Sequence, residues 1–220
     1  LPLMQTKGKG REARPGSRFD MERTEMIALL RHRGIMDERL LQAMHTVDRE
    51  IFVQGPFVNR AYEDSALPIG NAQTISQPYT VAFMTEALSL REGDKVLEVG
   101  TGSGYQAAIL AAMGARVFTI ERHMELLVQA RKIFDRLGYQ IASKGGDGTI
   151  GWKEFAPFDG IVVTAGAPEV PPPLLDQLKE GGRLVVPIGD LDVQNIHIIR
   201  RTRGEFEARV VDGFKFVPLI

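Results

Sequence analysis

The ten residues Val96-Leu97-Glu98-Val99-Gly100-Thr101-Gly102-Ser103-Gly104-Tyr105 constrain this chain more than any other stretch. An apolar run carrying one acid ends in three glycines that alternate with small hydroxyl residues. An alanine-rich segment, Gln106 to Met113, follows. The order reads as a strand, a tight turn and a helix start, the place where an α/β sheet binds a nucleoside-bearing cofactor.

The spacing discriminates between cofactors. A dinucleotide fingerprint is G-x-G-x-x-G, with the pyrophosphate resting on the helix N-terminus. Here the third glycine comes one residue early, and Tyr105 or Gln106 holds its usual place. A bulky ring there hinders approach to a pyrophosphate. Glu98 adds a carboxylate that repels a diphosphate and attracts a cation. S-adenosylmethionine carries an α-amino cation and a sulfonium and no phosphate, so the pattern suits this methyl donor better than NAD. Two further elements support a nucleoside without choosing one. The strand-like run Arg116 to Ile120 ends in Glu121, about 20 residues after the first glycine, where a carboxylate can accept both ribose hydroxyls. Gly145-Gly146-Asp147-Gly148 follows a strand candidate over 140–144, and there a backbone N–H and the Asp147 carboxylate can meet an adenine edge. A lone strand-end acid and a plain Gly/Asp turn would look the same singly. Their order at the ends of successive strands separates them from chance.

Composition excludes several classes. With 27 Lys+Arg against 28 Asp+Glu, the chain has no global field for nucleic acid or anionic membrane. It has no cysteine, so disulfides, thiolate catalysis and thiolate metal sites are out. The four histidines, His32, His45, His123 and His197, are scattered and read as surface or structural; no metal site is expected. No apolar run reaches the length of a membrane span, and no apolar signal region opens the sequence. The expectation is a cytoplasmic monomer whose partners include neither nucleic acid nor membrane.

Residues 1–20 carry five basic residues among glycines and prolines and read as a disordered basic arm. Residues 21–220 form one domain. Short helices occupy 21–52, with Met26, Ile27 and Leu30 on one face and Leu40, Leu41, Met44 and Val47 on another; Asp37 is an N-cap candidate. Residues 56–70 are rich in turn formers. Pro78 suits the first turn of a helix reaching about Leu90, with Val81, Met84, Thr85 and Leu88 at helical spacing. Strands and helices then alternate: strand 95–100, helix 103–113, strand 116–121, helix 123–137, strand 140–144, strand 159–164, helix 172–180 and strand 183–188. Trp152, in a loop, suits either the adenine loop or the core. The alternation predicts an α/β fold, a doubly wound, mostly parallel sheet with helices on both faces. Right-handed crossovers then align the glycine turn, Glu121 and Asp147 on one carboxyl edge. The tail reads as two antiparallel strands, 193–201 and 205–212, around Arg203-Gly204; their order in the sheet stays open.

Residues 66–82, Ala-Leu-Pro-Ile-Gly-Asn-Ala-Gln-Thr-Ile-Ser-Gln-Pro-Tyr-Thr-Val-Ala, resemble the substrate segment of protein-L-isoaspartate O-methyltransferases. The resemblance continues through the glycine turn, Gly146-Asp147-Gly148, the segment from Thr164 to Leu175, Gly181 to Gly189, and Phe216 to Leu219. It implies a Rossmann-like S-adenosylmethionine-dependent methyltransferase fold with antiparallel C-terminal strands. It also implies methylation of the free α-carboxylate of L-isoaspartyl residues in damaged proteins and peptides, after which the ester closes to a succinimide whose hydrolysis partly restores aspartate. By the same resemblance Ser76 is the active-site hydroxyl. Gln73, Thr74 and Ile75 shape the pocket beside it on the cofactor side. Glu98, Gly100, Thr101, Gly102, Gly104, Glu121, Arg122, Asp147, Gly148 and Thr164 surround the cofactor. Val217, Pro218 and Leu219 border the peptide, and Leu67 and Ile69 lie in a segment able to offer it an extended edge.

The implied chemistry needs little machinery. A carboxylate nucleophile is already ionised at neutral pH, so no general base is required. Ser76 can orient one carboxylate oxygen while the other attacks. It can also cap the Pro78 helix, whose first N–H groups can help to hold an anion. Three rivals remain on the residues alone: an NAD-dependent oxidoreductase, a non-catalytic carboxylate-peptide reader and a nucleic-acid methyltransferase. The last would use Pro171-Pro172-Pro173, which lacks the flanking Asn and aromatic and suits a helix start instead.

Overall fold

The computed structural model describes residues 18–190 and 193–219. Most of the basic arm expected over 1–20 lies outside the described residues. Its last three residues do not fit that expectation, because helix α1 spans Arg18–His32. Phe19 anchors the start of α1 against the Tyr62 ring, with centroids 6.0 Å apart, and Arg18 pairs with Glu22 one turn on at 2.8 Å.

Helix α2, Glu38–Thr46, follows the cap anticipated at Asp37, whose side chain accepts from the N–H groups of Arg39 and Leu40. Leu30, Leu40, Leu41 and Met44 are sealed in the core these helices share. The 56–70 segment is more regular than its composition suggests. A 3-10 turn spans Gly55–Arg60, and strand β1, Leu67–Gly70, pairs antiparallel with β2, Gln73–Ile75. Between them Asn71 and Ala72 both take positive φ, 51° and 55°, the geometry of a tight hairpin turn. Leu67 and Ile69 point into the core at 1% and 5% exposure. Burial of apolar side chains at alternate positions of this strand leaves the extended edge expected of the segment to its main chain.

Helix α3, Pro78–Leu88, buries Val81, Met84, Thr85 and Leu88. It stops two residues short of expectation, at Ser89 in the left-handed conformation. Then come β3 (Lys95–Val99), α4 (Tyr105–Ala112), β4 (Arg116–Glu121), α5 (Met124–Leu137), β5 (Ala142–Gly145), β6 (Phe158–Val163), α6 (Pro172–Asp176), β7 (Leu178–Gly189), β8 (Gln194–Thr202) and β9 (Glu205–Phe214). The helix expected over 172–180 is thus only its first turn and a half. The Gln177 carbonyl accepts from Phe158 N–H at 2.9 Å and Leu178 pairs with Phe158, so sheet pairing claims the rest.

The sheet runs β5-β4-β3-β6-β7-β8-β9. Strands β5, β4, β3, β6 and β7 are parallel, while β8 and β9 return antiparallel. The order that spacing leaves open is the sequential one, with β8 between β7 and β9. Val96, Val117, Val162 and Val185 face one way and pack with Leu110, Ala130 and Phe134 of α4 and α5. Leu97, Val99, Ile161 and Leu184 face the other way and pack with Leu174 of α6. Both faces are covered, as a parallel sheet requires. Trp152 belongs to this second core, edge-on to Phe118 and Phe155. Among the described residues no helix is long and apolar enough to cross a membrane.

The cap at α2 gives a direct test. Asp37→Ala removes the acceptor for two backbone N–H groups while leaving the helix intact. A loss of about 1 kcal/mol in unfolding free energy is expected, read from urea denaturation at constant m-value.

Candidate active site

The cofactor-side wall begins where β3 ends. Gly100 takes φ 99°, and a Cβ placed there would stand 2.4 Å from Thr164 Oγ1. That hydroxyl donates to the Gly100 carbonyl at 2.6 Å, so the turn and the end of β6 lie too close for a side chain. Gly148 is required from the other side, because its Cβ would meet Val99 Cγ1 at 2.3 Å. Glu121, at the end of β4, accepts from Gly102 N–H at 2.7 Å with Oε2 and from His123 N–H at 2.9 Å with Oε1. One carboxylate therefore fixes the glycine turn relative to the neighbouring strand.

Glu98 is the most perturbed acid of the site. It is fully buried. Thr119 donates to its Oε2 at 2.6 Å. Since that proton is committed, Thr101 donates to Thr119 across 2.6 Å. Oε1 is buried without any partner. Burial pushes the carboxyl up to about 8, with the Thr119 hydrogen bond opposing and Glu121 adding repulsion.

These groups line a cleft of about 910 Å³ that is open to solvent. Most expected residues meet there. Gln73 to Ser76 come from β2 and the residue after it; Glu98, Gly100, Thr101 and Gly102 from β3 and its turn; Glu121 and Arg122 from β4; Gly148 and Thr164 from the next two loops; Val217, Pro218 and Leu219 from the tail. The tail is held by a parallel bridge to Gly166, through Gly166 N–H to Val217 O and Leu219 N–H to Gly166 O, both 2.7 Å. Gly104 is outside the wall, behind the turn as the N-cap of α4. Asp147 is outside it as well. Its Oδ1 accepts from Thr149 N–H and Oγ1 at 2.9 and 2.7 Å, which holds its carboxyl below the ordinary range, while Gly146 and Gly148 on either side reach the cleft.

Two expectations need correction. Tyr105 belongs to the cleft wall, but its ring is buried, packed edge-on to Phe52 at 5.5 Å with the Arg49 guanidinium 4.7 Å above it. Ser76 does not cap α3, because the N-cap is Gln77. The first N–H of that helix is engaged: Tyr79 N–H donates to Asp64 Oδ1 at 3.0 Å, and Asp64 also holds Gln77 Nε2 at 2.9 Å. The sequence reading also missed contributors. Thr80 and Gln106 line the cleft, with Gln106 Nε2 donating to Thr85 Oγ1 at 2.6 Å. His123 borders it too, despite its reading as surface or structural. Fully buried Arg49 donates to the carbonyls of Ala61 and Ser76 at 2.7 and 2.8 Å. Only helical phase from Pro78 pointed to Thr80, and no local signal marks Arg49.

A second, larger groove of about 1710 Å³ adjoins the cleft. Thr74, Ser76, Thr80, Thr164 and Val217 line both. The far side of the groove is formed by Arg33, Tyr79 and the end of β9, with the Tyr79 and Phe214 rings stacked parallel at 6.5 Å.

The residues fit the donor expected from sequence. A buried carboxylate with one unpartnered oxygen belongs to the wall of the cleft, and a strand-end carboxylate stands at the following strand. Fold and pocket together define the class of Rossmann-like S-adenosylmethionine-dependent methyltransferases. The sequence profile of protein-L-isoaspartate(D-aspartate) O-methyltransferase matches residues 21–220, and the chain belongs to that family. A protein-L-isoaspartate O-methyltransferase of Salinibacter ruber is 51% identical over 214 residues, which cover 92% of this chain and 93% of the relative. A solved protein-L-isoaspartate O-methyltransferase superposes with TM-score 0.81 at 30% identity over 89% of this chain; the match spans 65% of that longer chain. The Plasmodium falciparum structure, in complex with S-adenosyl-L-homocysteine, gives TM-score 0.80 at 26% identity, covering 90% of this chain and 98% of its own.

The Glu98 environment has a consequence for stability. The folded carboxyl keeps its proton to about pH 8, whereas an unfolded glutamate releases it near 4.3. The native state binds more protons in between, so stability falls as pH rises through that window. The melting temperature of the cofactor-free protein is expected to drop between about pH 5 and 8. In Glu98→Gln the slope flattens, as measured by scanning calorimetry in a pH series.

Proposed function

We propose that the cleft holds S-adenosylmethionine, that the groove holds an isoaspartyl peptide, and that the two meet at Ser76. The observation that carries this reading is the shared wall: Ser76 lines both cavities. Glu98 Oε1 takes the α-amino cation of the donor, and the charge restores the ionised form that burial disfavours. Glu121 keeps a free lone pair on each oxygen beside its two backbone bonds and accepts the ribose hydroxyls. Gly146 and Gly148 bring main chain to the adenine, with Asp147 Oδ2 as the acceptor for its amine. When bound, the donor supplies an electrophilic sulfonium methyl, which passes to a carboxylate oxygen as the thioether leaves.

The chain's own part is placement. Arg49 holds the Ser76 carbonyl from behind, and the Ser76 hydroxyl has no partner among the described residues. That hydroxyl donates to one oxygen of the isoaspartyl α-carboxylate and leaves the other aimed at the methyl. Gly166 holds the Val217–Leu219 main chain in extended form along the peptide. This arrangement strips water from the carboxylate and fixes its approach, which supplies the rate without an acid–base pair. The substrates in this proposal are isoaspartyl-containing proteins and peptides of the cytoplasm, rather than nucleic acid or membrane.

Labelled methyl transfer to a synthetic isoaspartyl peptide, beside its aspartyl twin, tests the substrate. Incorporation only into the isoaspartyl form is expected, and equal labelling of both would rule the reading out. Ser76→Ala tests the role of the hydroxyl. A fall of about ten- to a hundred-fold in turnover is expected, the scale of one hydrogen bond to a charged group. S-adenosylhomocysteine affinity, read by calorimetry, should stay unchanged; full activity in the variant would refute the positioning role.

A further inference from the structure

The sheet ends on β9, which pairs with β8 alone. Its regular ladder runs from Glu205, opposite Thr202, to Val211, opposite Ile196, where the register shifts. The hairpin closes through two residues, Arg203 and Gly204, both with positive φ. The closing pair Thr202–Glu205 of such a hairpin is hydrogen-bonded, so alternation turns the N–H and C=O groups of Phe206, Ala208 and Val210 away from β8. All seven side chains from Glu205 to Val211 are exposed or half-exposed. Phe206 and Val210 are among the large apolar residues most open to solvent, at 44% and 49%. A long, straight edge with exposed apolar side chains is a template for another strand.

The pattern on this edge is self-complementary. Phe206, Ala208 and Val210 share one face, opposite Arg201, Ile199 and His197 of β8. Glu207, Arg209 and Val211 share the other, opposite Arg200, Ile198 and Ile196. Antiparallel pairing of two copies about an axis through Ala208, the midpoint of the regular ladder, sets Phe206 against Val210 of the partner subunit. It sets Glu207 against Arg209 of the partner subunit, and does both twice by symmetry. The outward-facing groups then meet as narrow pairs. Moving the axis to residue 207 or 209 opposes Glu207 to Glu207 of the partner subunit, or Arg209 to the partner's Arg209, and centres on residues whose main chain is already engaged with β8. We propose that β9 is the interface of a two-fold homodimer in this register, joining the two sheets edge to edge. The regular ladder overlaps the groove only at Val211.

Sedimentation equilibrium of the full chain, over a micromolar concentration series, tests the proposal beside Arg209→Glu, Glu207→Arg and the double reversal. Wild type should approach twice 24.4 kDa. Each single reversal creates two like-charged cross-strand pairs and should weaken dimerisation by about ten-fold or more. The double reversal should restore it to within about three-fold of wild type. Arg209→Glu is the cleaner single variant, because its β8 neighbour is the uncharged Ile198. Methyl transfer to the isoaspartyl peptide reports that each variant is folded. Ala208→Pro, which removes one outward N–H, should be monomeric. A wild-type chain that stays at 24.4 kDa throughout overturns the proposal. So does a dimer indifferent to the single reversals, or a double reversal that fails to recover.

Discussion

The bond from Gly102 N–H to Glu121 ties together the two strand ends on which the site is built. Glu121 closes β4 and also accepts from His123 N–H, just before α5. A single carboxylate thereby sets the glycine turn, the neighbouring strand end and the entry to a helix in one frame. Its neighbour Glu98 sits one strand over, and Thr119 and Thr101 hold its Oε2 side in place. The two acids face the same helix layer because both occupy alternate positions of adjacent parallel strands in register, Glu98 opposite Thr119. Glu121 receives one main-chain N–H on each oxygen, whereas Glu98 is held at Oε2 alone and its Oε1 is left without a partner.

Much of this was legible in the sequence because it is local. Strand 116–121 and the helix ending at Leu137 are set by apolar period, and the structure reproduces them to within a residue. The glycine turn was legible because a positive φ and a close backbone approach leave no other residue type. The failures are non-local. Helix 172–180 looks continuous in sequence, yet Gln177 and Leu178 are claimed by pairing with β6, whose first residue lies nearly twenty positions earlier. The second groove itself could not be read, since its walls come from the residue after α1, from α3 and from β9.

Arg49 shows how the two halves of the chain depend on each other. Burying a guanidinium completely is costly, and desolvation lowers its affinity for the proton. Among the described residues no carboxylate bonds it; instead it donates to two carbonyls and lies over the Tyr105 ring. Tyr105 is the first residue of the helix that follows the glycine turn, and the Ser76 carbonyl belongs to the segment on the opposite wall. One cation, carried by a 3-10 turn after the opening helices, braces both sides of the cleft from behind. The N-terminal helices are therefore part of the active-site frame rather than an appendage to a nucleotide-binding sheet. Removing the charge would leave the Ala61 and Ser76 carbonyls without this donor, so the cost of burying Arg49 is the cost of keeping Ser76 at a fixed distance from the turn.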